Sequence, residues 1–132
     1  MLFDRFNNQP IDLVCGIEAR GFLFACPLAY KFKKPFVPIR KRGKLPFDTN
    51  SVEFSLEYGS DALEIHVDAI RKGNNVLIID DLLATGGTLS ASCGLIEQTG
   101  AVITGIGVVV ELTDLNGRNA LKSHNLQTLV RY

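Results

Sequence analysis

Several kinds of residue and pattern are scarce in this chain, and each scarcity closes off a chemistry. Three cysteines in 132 residues, Cys15, Cys26 and Cys93, make an odd set with neither a C-x-x-C pair nor metal spacing. They read as reduced thiols packed as small hydrophobes, not as a disulfide framework or a zinc site. The two histidines, His66 and His124, stand apart and read as structural. No apolar run exceeds strand length, so no segment is long enough to span a bilayer. The amino terminus lacks a signal peptide's basic segment, apolar core and cleavage site, which makes the cytoplasm the expected location. No internal repeat or low-complexity stretch is present, and 132 residues fit one domain, 1–132, that buries roughly two-thirds of its unfolded surface by size scaling. The glycine-rich nucleoside triphosphate loop that ends in Gly-Lys-Ser or Gly-Lys-Thr is absent. The pair Gly105 and Gly107 runs on into Val108, Val109 and Val110 without a third glycine. A nucleoside triphosphatase or a dinucleotide enzyme is thereby disfavoured.

Net charge is also lacking, with 14 basic residues against 14 acidic ones, yet that balance hides a polarised chain. Lys31, Lys33, Lys34, Arg40, Lys41, Arg42 and Lys44 form a stretch with no acid in it. From Asp48 to Asp81 eight acids face only Arg71 and Lys72. Nucleic acid calls for a broader basic face, so no nucleic-acid partner is expected. A short basic patch beside an acidic one suits a compact polyanion carried with a divalent cation, as in magnesium diphosphate.

Against these absences stands one dense segment, VLIIDDLLATGGT at 76–88. Four aliphatic residues in succession read as a strand buried on both faces, the habit of parallel sheets. Asp80 and Asp81 follow at its carboxyl end, where ligands of open α/β sheets bind. Thr85, Gly86, Gly87 and Thr88 then present backbone N–H groups and hydroxyls at the start of a helix, a setting that favours an anion such as phosphate. Carboxylates for sugar hydroxyls next to amides for a phosphate point to a ribose 5-phosphate. Either fragment alone is as well explained by a solvated loop or an ordinary turn; their contiguity favours the ligand.

The segment DDLLATGGT resembles the phosphoribosyl diphosphate (PRPP) loop of type I phosphoribosyltransferases, and its Leu-Leu-Ala filling resembles the adenine-using branch in particular. GIEARGF at 16–22, RKRGKLP at 40–46 and SLEYG at 55–59 agree with that family in order and spacing. The resemblance implies an α/β type I phosphoribosyltransferase fold, a parallel sheet flanked by helices with a flexible loop or hairpin over the active site. It implies transfer of 5-phosphoribosyl from PRPP to adenine, giving AMP and diphosphate, with Mg2+ arriving bound to PRPP and no metal site of the protein's own. A homodimer is implied as well, because in relatives a loop residue can reach the neighbouring subunit's site.

The resemblance also distributes roles. Glu18, Ala19, Arg20 and Gly21 belong to the diphosphate loop, with a cis peptide at Glu18-Ala19; by residue type alone Arg20 reads equally as a surface cation. Arg40, Lys41 and Lys44 are expected to reach the diphosphate when the loop closes. Glu57 is the carboxylate beside the purine and Tyr58 helps cover the substrates; without the resemblance Glu57 reads as an exposed hairpin acid. Asp80 and Asp81 hold the ribose hydroxyls, Leu82 lines the adenine, and Ala84, Thr85, Gly86, Gly87 and Thr88 cradle the 5′-phosphate. Catalysis falls to Glu57, Arg20 and Arg40. Relatives carry several dozen residues ahead of the point aligned with Met1, including a segment that hoods the purine, so the expectation is a chain that keeps PRPP contacts with weakened or absent adenine transfer. A sister enzyme for another purine, a non-catalytic PRPP-binding regulator and an inactive dimerisation scaffold are the competing readings.

Along the chain, 1–6 reads as the tail of a helix broken by Asn7 to Pro10. Strands are predicted at 11–15, 36–41, 54–58, 63–67, 76–79 and 102–110, and helices at 21–32, with a kink at Pro27, and at 88–98. The polar stretch 42–53 reads as a mobile loop, and Gly59, Ser60 and Asp61 as a turn between two strands. Strands alternating with helices predict a parallel sheet wrapped on both faces.

Overall fold

The structure is a computed structural model that describes residues 1–46, 48–56 and 59–132. In chain order it contains α1 (Leu2–Phe6), β1 (Leu13–Ile17), α2 (Phe22–Phe32), β2 (Phe36–Lys41), β3 (Thr49–Leu56) and β4 (Gly59–His66). These are followed by β5 (Asn75–Leu83), α3 (Gly87–Glu97), β6 (Val102–Glu111), two 3-10 turns at Thr113–Leu115 and Gly117–Leu121, and β7 (Leu126–Arg131). Among the described residues seven strands join in one sheet of order β3-β4-β2-β1-β5-β6-β7. The five strands from β2 to β7 run parallel, and the β3–β4 hairpin is added antiparallel beyond β2.

Alternation along the central strands divides the core in two. Leu77 and Ile79 face α1 and α2 with Phe6, Val14, Ala25 and Leu28. Val76 and Ile78 point the other way, into a cluster with Leu89, Cys93 and Ile96 of α3. This is why the run from Val76 to Ile79 in β5 is apolar without interruption: both of its faces are covered. Leu77, Ile78 and Ile79 are each fully buried, and burial of such a side chain stabilises by about 1.5–3 kcal/mol. The helices follow suit, α2 burying Ala25, Leu28 and Ala29 on one stripe and continuing through Pro27, which lies on the exposed side.

Three sequence expectations shift. β1 starts and ends two residues later than 11–15, taking in Gly16. A Cβ on Gly16 would lie 2.6 Å from that of Ala25 and 2.8 Å from the Phe36 ring, so the glycine marks close packing of α2 on the strand, not a loop. The stretch 42–53 is a loop only in its first part. From Thr49 it is strand, because Asn50 and Val52 pair with Ile65 and Leu63 of β4 at the sheet edge, where outward-facing polar residues are tolerated. Gly59, Ser60 and Asp61 are not a turn; they pair with Leu56, Ser55 and Phe54 inside the ladder, and residues 57–58 of the expected strand 54–58 lie outside the described residues. β7 and the 3-10 turns before it had no counterpart in the sequence reading.

Candidate active site

From β1 the chain crosses to β2 on one side, and β5 then returns to β1's other side, so the winding direction changes between β1 and β5. In open α/β sheets the crevice outside the carboxyl ends at such a point is where ligands bind. Here it is a cleft of about 320 Å³. β1 delivers Ile17 to it, the following turn Glu18 and Arg20, and β2 Lys41. Asp80, Asp81 and Leu82 come from β5, and Ala84, Thr85, Gly86, Gly87 and Thr88 from the turn into α3. Eleven of the expected contact residues thus line one cavity.

The phosphate-type turn has the geometry its residues suggest. Gly86 is the N-cap of α3 with φ +87°, a backbone state open to glycine at little cost. No side chain caps the helix, and its first turn holds no acid. The first amides of α3 and its positive dipole end are therefore available to an anion in the cleft.

The two aspartates differ in setting. Asp80 is buried and accepts a hydrogen bond of 2.9 Å from the Asp81 backbone N–H. Burial pushes its carboxyl up to about 7; the nearby Asp81 charge pushes the same way, while the Asp81 amide and Arg20 oppose it. Asp81 is partly exposed and accepts from Arg20 Nε at 2.9 Å, with Arg20 itself 72% exposed. Asp80 lies opposite Val108 in the β5–β6 ladder, and Asp81 follows it within the same strand instead of beyond it.

Glu18, expected as one member of the diphosphate loop, is instead a collecting point for cations. Its side chain is nearly buried and gathers Lys44 Nζ at 3.2 Å, Arg40 Nη2 at 3.7 Å and the Lys41 backbone N–H. Burial acts to raise its pKa, but the Lys41 amide, Lys44 and Arg40 outweigh that and hold the carboxyl below its usual range. Arg40 and Lys44, expected at the diphosphate, do not line the cleft and are drawn instead to Glu18, Arg40 also lying 6.0 Å from the Phe22 ring centre. Ala19 and Gly21 do not line it either. A Cβ on Gly21 would lie 2.4 Å from the Ile17 carbonyl oxygen and 2.9 Å from Asp80 Oδ1, so the turn passes directly against the acid pair. The Glu18-Ala19 peptide is cis, as the family resemblance implies. Glu57 and Tyr58 lie outside the described residues. Ile17, Leu63, Leu83 and Leu89 add an apolar lining that no local signal marked. Among the described residues no group of three or more His, Cys, Asp or Glu is arranged to hold a metal ion.

A family model described as a phosphoribosyl transferase domain matches residues 1–127. An adenine phosphoribosyltransferase of Acetivibrio thermocellus is 58% identical over 121 residues, 92% of this chain and 71% of that protein. The chain belongs to the adenine phosphoribosyltransferase family. The crystal structure of the adenine phosphoribosyltransferase from Thermoanaerobacter pseudethanolicus superposes with TM-score 0.97 at 48% identity, covering 100% of this chain and 77% of that one. The Saccharomyces cerevisiae adenine phosphoribosyltransferase, solved in complex with an imino-altritol bisphosphate and adenine, gives TM-score 0.90 at 43% identity over 97% of this chain and 72% of its own. The chain spans about three quarters of the length of these adenine phosphoribosyltransferases. No helix among the described residues is long and apolar enough to cross a membrane.

Proposed function

We propose that the cleft transfers the 5-phosphoribosyl group of PRPP to adenine, releasing diphosphate and forming AMP. The observation that carries this reading is the juxtaposition, in one crevice, of the Asp80–Asp81 pair and the uncapped start of α3. In the reaction the bond from the ribose anomeric carbon to the diphosphate oxygen breaks, a bond to adenine N9 forms, and the N9 proton leaves to a base. Amides and hydroxyls of Thr85, Gly86, Gly87 and Thr88 hold the 5′-phosphate. Asp81 accepts from the ribose hydroxyls, and Asp80, poised near neutrality, can accept from or donate to them. Their charge also suits the cation that develops on the sugar.

Arg20 has two partners available. It pairs with Asp81; with PRPP bound its planar fork turns to the diphosphate, alongside the amides of residues 18–21. That exchange frees Asp81 for the sugar in the same motion. Arg40, Lys41 and Lys44 complete the cationic wall, Arg40 and Lys44 leaving Glu18 as the loop closes. Glu57 takes the N9 proton, Tyr58 covers the substrates and Leu82 contacts the adenine ring. Mg2+ suits this site as an ion brought in by PRPP. Among the described residues lining the cleft, Asp80 and Asp81 would offer it hard oxygen donors, Glu18 being held by Arg40 and Lys44, and magnesium commonly takes one or two carboxylates together with substrate phosphates. Bound there it would supply positive charge to the diphosphate leaving group.

The same reading includes a cytoplasmic homodimer made of single-domain chains. An apolar groove along α2, lined by Leu2, Phe3, Phe24 and Pro27 with Leu23 71% exposed beside it, supports self-association. AMP formation from adenine, PRPP and Mg2+, with hypoxanthine and guanine as controls, tests the activity. Saturating PRPP at about 100 times its Kd is expected to add about 2.7 kcal/mol of stability. A melting temperature unmoved by PRPP with Mg2+ would refute the binding site itself.

A further inference from the structure

The segment after β6, ELTDLNGRNAL at 111–121, plays no part in the chemistry above, yet it is pressed against the phosphate turn. A Cβ on Gly117 would lie 2.2 Å from the Ala84 carbonyl oxygen and 3.0 Å from the Gly86 nitrogen. From the other side, a Cβ on Gly86 would lie 2.6 Å from the Gly117 carbonyl oxygen. The two main chains therefore touch with no side chain between them. The segment is tied at both ends of this contact. Before it, the Leu112 N–H donates to the Leu83 carbonyl at 2.9 Å. After it, Arg118 grips Glu111 with two hydrogen bonds, Nε to Oε1 at 2.9 Å and Nη2 to Oε2 at 2.7 Å. Glu111 is only 3% exposed, sits opposite Leu83 in the β5–β6 ladder and also receives Arg131 at 3.3 Å. Arg118 further donates to the Leu126 carbonyl at 3.4 Å.

A bidentate pair of this kind, with its carboxylate buried, fixes orientation as well as distance. Here it closes the loop 112–117 on the end of β6 and holds Gly117 against the back of the turn. Amides that bind a phosphate gain most when they are aimed before the ligand arrives. We infer that Arg118, clamped by Glu111, and Gly117 are positioning residues for the phosphate turn, keeping its amides aimed into the cleft without touching substrate. The inference rests on the reading of 84–88 as the 5′-phosphate cradle.

The test separates the two halves of PRPP. Ribose 5-phosphate probes the 84–88 turn, and magnesium diphosphate probes the 18–21 turn, which Gly117 and Arg118 do not touch. Arg118→Ala and Glu111→Gln are expected to weaken ribose 5-phosphate binding, measured by calorimetry, by about tenfold or more. Magnesium diphosphate affinity stays at the wild-type value. In steady state the KM for PRPP rises while the KM for adenine stays unchanged. Arg118→Lys, which keeps the charge but cannot bridge both carboxylate oxygens, falls between. Gly117→Ala gives the largest loss. Equal losses for both ligands, or unaltered ribose 5-phosphate affinity in a variant with a native circular dichroism spectrum, would overturn the proposal. Unfolding of all four variants would overturn it too, by assigning the pair to fold stability. A wild-type chain that binds magnesium diphosphate but no ribose 5-phosphate would instead reject the phosphate cradle itself.

Discussion

Asp80→Asn should make the protein more stable and less able to bind sugar, and the size of the first effect should depend on pH. Asp80 is 8% exposed, and burial lifts its carboxyl from an ordinary 3.8 to about 7. The folded state therefore binds this proton more tightly than the unfolded one, so ionising Asp80 works against folding. No cost is felt below the unfolded value near 3.8. It grows as pH rises through the interval and is complete once pH passes about 7. Its full size is at most about 4 kcal/mol, from about 1.4 kcal/mol for each tenfold change in proton affinity. Asparagine keeps the shape, and its Oδ1 can still accept from the Asp81 amide, but it cannot ionise. Urea denaturation of Asp80→Asn against the parent should show a gain of a few kcal/mol at pH 8. That gain should shrink below about 2 kcal/mol at pH 5 and nearly vanish at pH 3.5. PRPP affinity should fall at the same time, the pattern of a residue retained for function at the expense of stability. A loss of stability at pH 8, or a difference that does not vary with pH, would refute this account of Asp80.

Other substitutions test neighbouring parts. Arg20→Ala should leave urea stability within about 1 kcal/mol, because its partner pair is screened by solvent on the arginine side, while the KM for PRPP rises about tenfold or more. Gly86→Ala combines φ +87° with a 2.6 Å approach to the Gly117 carbonyl oxygen, so it should cost about 1–3 kcal/mol in thermal or urea unfolding and abolish ribose 5-phosphate binding. Leu95→Ala removes a fully buried side chain under the sheet and should cost about 2–5 kcal/mol with PRPP affinity in the surviving folded fraction unchanged.

What was legible in the letters was what is written locally. The run at 76–79, the acid pair and the diglycine turn each carry their signal within a few residues, and β5, the cleft and the start of α3 follow from them. Signals between distant segments were not legible. Gly16 looked like loop because the ring and helix that require its missing side chain come later in the chain. Thr49 to Glu53 is polar, and only pairing with β4 makes it strand. β7 buries Leu126 well and the rest of its side chains poorly, so it carries almost no alternation to read. Glu18 looked like one member of an anion-binding turn, whereas its carboxylate collects cations from a strand and loop more than twenty residues on.

The most direct test is a crystal structure of this chain with ribose 5-phosphate or AMP. The account predicts the phosphate within hydrogen-bond distance of the backbone N–H groups of residues 85–88 and the ribose hydroxyls on Asp80 and Asp81, with Arg20 turned away from Asp81. A phosphate seated among Arg40, Arg42 and Lys44 instead, with Arg20 still on Asp81 and the start of α3 bare, would contradict it.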